Sequence, residues 1–506
     1  MKHLTFGTSN VNHFDTAILI RDINLRDHDV QTTYIDPLVN QGIDIGSLIA
    51  FSLSYTDAGK ITIKHAREYL DKLLKALDHL HVTNILVADG TYFKALTKVG
   101  KIEPHHGYIL PCRMPGYEHM NIVLSMNYSS LFYNPQYQDK IDMSISTMAN
   151  HVLNTHIALG ANIIHSANYP REYEDIAAAL RDLHQYDVLT CDIEGFGLGL
   201  ETCGIATIAF AWDQHNGVAF PVDFDVGHRL ENPLTRRLLK AFLDEYQGKL
   251  IYHGASFDIK HLIYNLYMHH PLDNDGLLLG LETLTRCFGD TMVLTYLATN
   301  STAGNTLGLK PNSHEYTGNY AQEDIHDISR IPEPELLKYN LIDCLATWFV
   351  HNKYMPTVIA DNQMQIHDEI MIPSLKVIIN MELIGMPLDM QKVSDAHKQL
   401  RTLVRVNLDY LNNSPIIRNF TNRLQKEEMV KKNLLLKVKV KPIEDFHLLE
   451  FNPNSDNHLR RLLADDLDIK LTKTTDTGLL STKTKILEQA AKNLINQFNL
   501  SEEDIT

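Results

Sequence analysis

Cysteine is scarce: five residues in 506, scattered and without a CxxC pair. Neither a disulfide framework nor a zinc knuckle is indicated, and a reducing cytoplasm is the expected setting. No run of 18 apolar residues occurs, and the opening MKHLTFGTSNVNHFD has no apolar core of the kind a secretory signal needs. Neither secretion nor a membrane span is expected. Basic residues are also in the minority, with 46 Lys and Arg against 62 Asp and Glu and a net charge of −16. A surface coated all over for duplex nucleic acid is therefore unexpected, and any such contact must be local. There are no internal repeats and no low-complexity linker.

What is present is ample apolar material, 44% of the chain, spread over a length that predicts roughly two to four domains. Residues 1–165 mix short apolar runs, TAILI, TNILVAD and MNIVLSM, with the leucine-spaced AREYLDKLLKALDHL, which predicts strands and helices of an α/β domain. Residues 166–356 open on the helix-like YPREYEDIAAALRDLHQYD and the strand VLTCDIE. In GIATIAFAWDQHNGVAFPVD two apolar runs flank Asn216-Gly217, which predicts a hairpin with that pair at the turn. The strand KLIYHG, the helix FDIKHLIYNLYMHH and the periodic helix EPELLKYNLIDCLATWFVHNKY follow, so a mixed sheet with helices on its faces is expected. Residues 357–506 turn mainly helical. Within 391–441 there are 12 Lys and Arg against 4 Asp and Glu, a local excess of positive charge that reads as a solvated face or as a binding surface.

Asp192 and Glu194 close the run VLTCDIE, and side chains two apart on a strand share a face. Alone, the pair reads as a polar strand end. Asp258 follows 66 residues later, just inside a helix that follows a strand, and Asp343 comes 85 residues beyond, four after Tyr339 and so on the same helix face. Carboxylates brought together repel unless a cation lies between them, and hard oxygen donors without neighbouring Cys or His favour Mg²⁺ or Mn²⁺. The chemistry that needs about four such groups is two-metal phosphodiester hydrolysis, in which a tyrosine one turn from the last aspartate can orient the attacking water.

The set Asp192-x-Glu194, His253-Gly-Ala-Ser-Phe257-Asp258 and Tyr339-x-x-x-Asp343 resembles the three motifs of the DEDDy 3′–5′ exonucleases, the proofreading domains of DNA polymerases among them. The resemblance implies a ribonuclease H-like mixed-sheet fold and a site of two Mg²⁺ or Mn²⁺ ions. Asp192, Glu194 and Asp343 would hold the first ion, Asp192 would bridge to the second, and Asp258 would act mainly through water. It places His253 and Phe257 near the terminal nucleotide and matches Leu198 to a residue that wedges against the terminal base, although an ordinary core leucine is the alternative. Asp290, in a DTM segment, is matched too, with helix capping as the alternative. Gly254 stands where the family usually has Asn.

Further on, Gly385-Met-Pro-Leu-Asp389, Phe451-Asn-Pro-Asn-Ser455 and Thr475-Asp-Thr-Gly478 with Ser481-Thr482 resemble the stretch joining exonuclease to polymerase in family A DNA polymerases, bacteriophage enzymes in particular. The resemblance makes the basic stretch part of a thumb, with Lys431, Lys432, Lys437, Lys439 and Lys441 as phosphate contacts. The palm and fingers of that family are not matched. The expectation is either a shortened chain or one half of a split polymerase, acting on single-stranded and primer–template DNA with a palm-bearing second chain and replisome accessory proteins, in a phage-infected host cell. The segments ILVADGTYFKALTKVGKIEPHHGYILPC and VLSMNYSSLFYNPQ resemble part of a uracil-DNA glycosylase domain, but Asn127 replaces its loop histidine and no early Gly-rich acidic segment is found. An inactive glycosylase-like module with a binding or docking role is expected. The alternatives are a stand-alone DEDDy nuclease on RNA or DNA and a non-catalytic structural or DNA-binding subunit.

Overall fold

TAILIR, LIAFSL and NILV carry apolar residues on both faces, the pattern of strands covered on two sides. In the computed structural model they become β2 (Thr16–Arg21), β3 (Leu48–Leu53) and β4 (Asn84–Val87), joined by β1 (His3–Thr5), β5 (Ile109–Pro111) and β6 (Asn121–Leu124) in the order β1-β3-β2-β4-β6-β5. The four central strands are parallel, and β1 and β5 pair antiparallel at the edges. Alternation along β2 shows the two-sided burial. Ala17 and Leu19 pack with Leu70, Leu73 and Leu77 of the helix Ile63–His79, while Ile18 and Ile20 pack with Ile141, Ile145 and Met148 of the helix Tyr137–Val152.

The structure describes residues 2–7, 13–55, 61–225, 228–229, 231–299, 306–320, 328–436, 440–469 and 484–498. They fall into two compact units, Met1–Gly385 and Met386–Thr506. Among the described residues no helix is long and apolar enough to cross a membrane.

The first unit also contains a second sheet, formed by β7 (Ser166–Asn168), β8 (Val188–Glu194), β9 (Thr207–Ala211), β10 (Asn216–Pro221), β13 (Lys249–Tyr252) and β14 (Phe288–Asp290), with a short ribbon of β11 (Phe224–Asp225) and β12 (His228–Arg229) beside it in the chain. Its order is β14-β13-β8-β9-β10-β7. Strands β8, β9 and β10 are antiparallel neighbours, and β13 and β14 continue parallel to β8. This is the mixed sheet, with helices on its faces, that the sequence leads one to expect. One face is covered by the helices Tyr173–Leu183, Pro233–Glu245 and Ala255–Leu266, through a core that includes Leu180, Leu189, Phe210, Leu243 and Leu262. The other face receives the long helix Glu333–Ala360, whose Leu337, Leu341 and Leu345 meet Ala209, Ala211 and Ala219.

Small residues on the sheet let that helix approach closely. A Cβ at Gly217 would fall 2.6 Å from Leu341 Cδ1 and 2.6 Å from the Phe210 carbonyl oxygen. The helix is also fastened by hydrogen bonds: Thr190 Oγ1 donates to the Cys344 carbonyl at 2.9 Å and Trp348 Nε1 to that of Ala211 at 2.8 Å. The β9–β10 hairpin forms as expected, but Asn216 and Gly217 are not its turn. They begin β10, with Gly217 opposite Ala211. The loop is 212–215, closed by the Asp213 carboxylate, which accepts from the His215 N–H at 2.7 Å and the Asn216 N–H at 2.9 Å. Gly217 has no positive φ and serves the close approach of Leu341 instead.

In the second unit the helices Met390–Asn413 and Pro415–Asn433 are connected through Ser414, and a small core gathers Ile417, Phe420, Leu424, Phe451 and Leu462. The phrases that resemble family A polymerases occupy local stops and caps. Gly385, with φ +67°, ends the helix Ile372–Ile384, and Asp389 accepts from the Gln391 and Lys392 N–H groups at 3.1 Å each. Phe451 meets Phe420 edge to face at 5.7 Å, and Ser455 caps the turn Asp456–Arg460. The phrases around Thr475, Gly478, Ser481 and Thr482 lie outside the described residues.

Candidate metal centre

Strand β8 is central, with β9 on one side and β13 on the other, so its C-terminal residues are positioned by two ladders. Asp192 and Glu194 project from it on one face and are half-buried. The long helix crossing that face brings Asp343, which is 7% exposed, to the same point. One carboxylate oxygen each from Asp192, Glu194 and Asp343 lie within 4.8 Å of one another. Asp258 is close but is not part of this trio. It sits in the first turn of the helix Ala255–Leu266 and its Oδ1 accepts the Ile193 N–H at 3.1 Å, between the two acids of β8.

Such crowding works against ionisation. Asp192 is pushed well above the usual carboxylate range, first by burial and then by Asp258, Asp343 and Glu194. Glu194 is pushed up to about 8 by burial and by Asp343, with Lys310 opposing. Burial raises Asp258 as well. Asp343 is raised to about 6 by burial, opposed by the Tyr320 hydroxyl, Lys310 and the Tyr339 hydroxyl. Neutralisation by a divalent cation resolves this conflict, and the donor set fits one: three carboxylates gather there with no His or Cys in the cluster. Asp192, Glu194 and Asp343 would hold the ion, with Asp258 alongside.

Three residues not singled out in the sequence complete the site. Asn340, fully buried, donates through Nδ2 to Asp192 Oδ2 at 2.6 Å, while its Oδ1 accepts from Thr207 Oγ1 at 3.0 Å. It stands between Tyr339 and Asp343 in the sequence, but a buried asparagine there reads equally as helix packing. Tyr320 donates its hydroxyl to Asp343 Oδ1, and Lys310 Nζ meets the Tyr339 hydroxyl. Neither belongs to a motif, since both reach the centre from the segment 306–320. Tyr339 is one turn from Asp343, and burial together with that carboxylate keeps its phenol protonated.

The second motif supports the site through its backbone. His253 Nδ1 contacts Thr291 Oγ1 at 2.9 Å, and Phe257 packs edge-on to His261 at 4.5 Å. Gly254 has φ +80°, a conformation open to Gly and tolerated by Asn, the residue usual at this place in the motif it resembles. Asp290 acts as a cap and as a brace: it accepts from the Met292 N–H at 2.8 Å and from the Gly254 and Ala255 N–H groups at 2.9 Å each. Leu198 is 86% exposed, so the core-leucine alternative is overturned.

The basic candidates belong to the second unit. Lys431 and Lys432 are exposed and both lie 3.8 Å from Glu428. Lys441 bonds Asn433 through its backbone, its N–H donating to Oδ1 at 2.8 Å, whereas Lys437 and Lys439 lie outside the described residues. In the first unit Asn127 caps a turn, its Oδ1 accepting from the Ser129 N–H at 3.0 Å.

No protein-family model and no curated protein matches the chain. Solved structures similar to part of it include NrnC of Brucella melitensis, at 16% identity over 44% of this chain and 93% of that one, with a TM-score of 0.32. The catalytic core of RRP6 from Trypanosoma brucei is similar at 12% identity, over 67% and 82% of the two chains, with a TM-score of 0.32. The polymerase domain of Pol1 from M. smegmatis, in complex with DNA primer–template and dNTP, is similar at 13% identity, over 65% of this chain and 45% of that one, with a TM-score of 0.32. These likenesses are distant, and the chemistry of the site rests on its own geometry.

Proposed function

We propose that this protein is a metal-dependent 3′–5′ exonuclease acting on DNA ends, the proofreading part of a family A type polymerase. The observation that carries the reading is the meeting of Asp192, Glu194 and Asp343 within 4.8 Å, from a strand and a helix some 150 residues apart in sequence. Asp192, Glu194 and Asp343 would hold divalent cations, which would supply charge stabilisation for a phosphoryl centre and lower the pKa of a bound water. The protein's residues supply position. Asn340 fixes the Asp192 carboxylate, Tyr320 fixes that of Asp343, and Asp258 is fixed by the Ile193 N–H. The protonated Tyr339 hydroxyl, next to Lys310 Nζ, is placed to orient an attacking water by hydrogen bonding rather than to act as a base. Exposed Leu198, six residues past Asp192, is suited to press against a terminal base; His253 and Phe257 would contact the terminal nucleotide, as the resemblance of their motif implies.

The polymerase part of the reading is supported by the phrases at Gly385–Asp389 and Phe451–Ser455 and by the positive charge of 391–441, whose lysines are offered to phosphate. Palm and fingers would come from a second chain or from a longer form of this one, and the first sheet would serve a binding or docking role. A nuclease acting alone on RNA or DNA is the competing reading. The test is a 5′-labelled oligonucleotide, DNA or RNA, incubated with Mg²⁺ or EDTA. Stepwise shortening of DNA from the 3′ end should be abolished by EDTA, by Asp192→Ala and by Asp343→Ala. Full activity in both variants refutes the site, and a strong preference for RNA refutes the proofreading role. Recovery of a palm-bearing chain with polymerising activity on co-purification supports the split form.

A further inference from the structure

Two neighbouring rings, Phe132 and Tyr133, are 86% and 82% exposed. Together they leave roughly 300 Å² of aromatic surface in water, the size at which a patch is commonly functional. They are held out by an ordered turn. The turn Tyr128–Phe132 follows β6 and is pinned along its length. The Tyr128 N–H donates to the hydroxyl of the fully buried Tyr34 at 2.9 Å, Ser130 Oγ donates to the Asn127 carbonyl at 2.6 Å, and the Tyr133 N–H donates to the Ser130 carbonyl at 3.0 Å. A fixed turn that offers two rings outward has the form of a stacking platform.

The same loop leads to the carboxylate centre. Gln136 Oε1 accepts the Thr306 N–H at 3.3 Å, which ties the loop to the segment carrying Lys310 and Tyr320. Asn134, Gln136, Lys310 and Tyr320 line one cavity of about 320 Å³, and the last two touch Tyr339 and Asp343. A continuous path therefore runs, within the first unit, from the carboxylates to the loop that bears the rings. Its charges balance: the lining sets Glu103, Asp139 and Glu315 against Lys140, Lys310 and Lys353. Attraction for phosphates is not what this path offers. Exposed rings beside amide side chains suit nucleobases, which present a flat face to stack and polar edges to hydrogen-bond.

We propose that Phe132 and Tyr133 stack on unpaired bases of a DNA single strand whose 3′ end lies at the carboxylate centre. The placing of that end rests on the nuclease reading, but the stacking requires neither metal ions nor cleavage. The test is fluorescence anisotropy of a 5′-labelled oligo(dA) with the full chain in EDTA, beside a strand of equal length built of abasic nucleotides. Phe132→Ala and Tyr133→Ala should each raise Kd for oligo(dA) about fivefold or more, with recovery in Phe132→Trp and Tyr133→Phe. Neither should shift Tm, since both side chains already lie in water. The abasic strand should bind wild type and variants alike, and the loss on oligo(dA) should persist as salt rises, because no phosphate contact is removed. No binding of oligo(dA) by the wild-type chain, a loss of the same size on the abasic strand, or a loss that salt erases overturns the proposal. Equal binding by wild type and variants also overturns it and leaves the rings to a protein partner. The stacking signature in a chain that shortens no oligonucleotide refutes the nuclease reading alone; shortening by a chain whose binding is indifferent to both rings refutes this proposal alone.

Discussion

Replacing Glu194 by Gln removes charge from the carboxylate centre with little change of shape. No hydrogen bond is lost, because among the described residues the Glu194 carboxylate has only electrostatic neighbours: burial and Asp343 raise it from 4.5 to about 8, and Lys310 opposes. In a rigid, dry site that rise corresponds to about 5 kcal/mol against the ionised form, and relaxation with water entry reduces it to about 2 kcal/mol. The folded protein holds this proton more tightly than the unfolded chain does. Metal-free stability is therefore fully present below about pH 4.5 and declines as pH rises through about 8. In EDTA the wild-type Tm should fall across this window, and Glu194→Gln should fall less. At about pH 8.5 the variant should melt about 2–3 °C higher, the shift that about 2 kcal/mol makes in a unit the size of Met1–Gly385. Mg²⁺ or Mn²⁺ should raise the wild-type Tm more than that of the variant, while the variant loses nuclease activity. Scanning calorimetry at several pH values, with and without metal, provides the readout. A variant that melts at or below the wild type in EDTA at high pH would refute the claim that the carboxylates repel one another in the absence of an ion.

Asn340→Ala removes the donor to Asp192, and Mn²⁺ titration should show affinity reduced by about 10- to 100-fold. At Gly254, Asn should melt near the wild type, whereas Ala at φ +80° should cost about 1 kcal/mol; equal Tm values for the two would remove the conformational explanation. Leu198→Ser should change stability by less than about 0.5 kcal/mol but reduce the rate on paired and frayed 3′ ends, and an unchanged rate would remove the wedge role.

Much of the frame was legible because it depends on local pattern. Apolar runs marked β2, β4, β6 and β8, and the spacing of two in β8 and four in the long helix placed Asp192 with Glu194 and Tyr339 with Asp343. The hairpin was legible but its turn was not. Asn-Gly is a strong turn pair, yet Asp213 closes the loop by side-chain bonds, and Gly217 answers to Leu341, a neighbour over 120 residues away. Lys310, Tyr320 and Asn340 escaped for a related reason. A single polar residue that supports a ligand carries no periodicity, and only tertiary proximity reveals it.

The hydrogen bonds from Thr190 and Trp348 that fasten the long helix to the second sheet make the third acid a fixed post rather than a hinged one. Loading an ion then requires no folding step, so chelation should lower the melting temperature yet leave the secondary structure of the folded protein unchanged. A centre of fixed separation would favour a small cation such as Mg²⁺ or Mn²⁺ over the larger Ca²⁺.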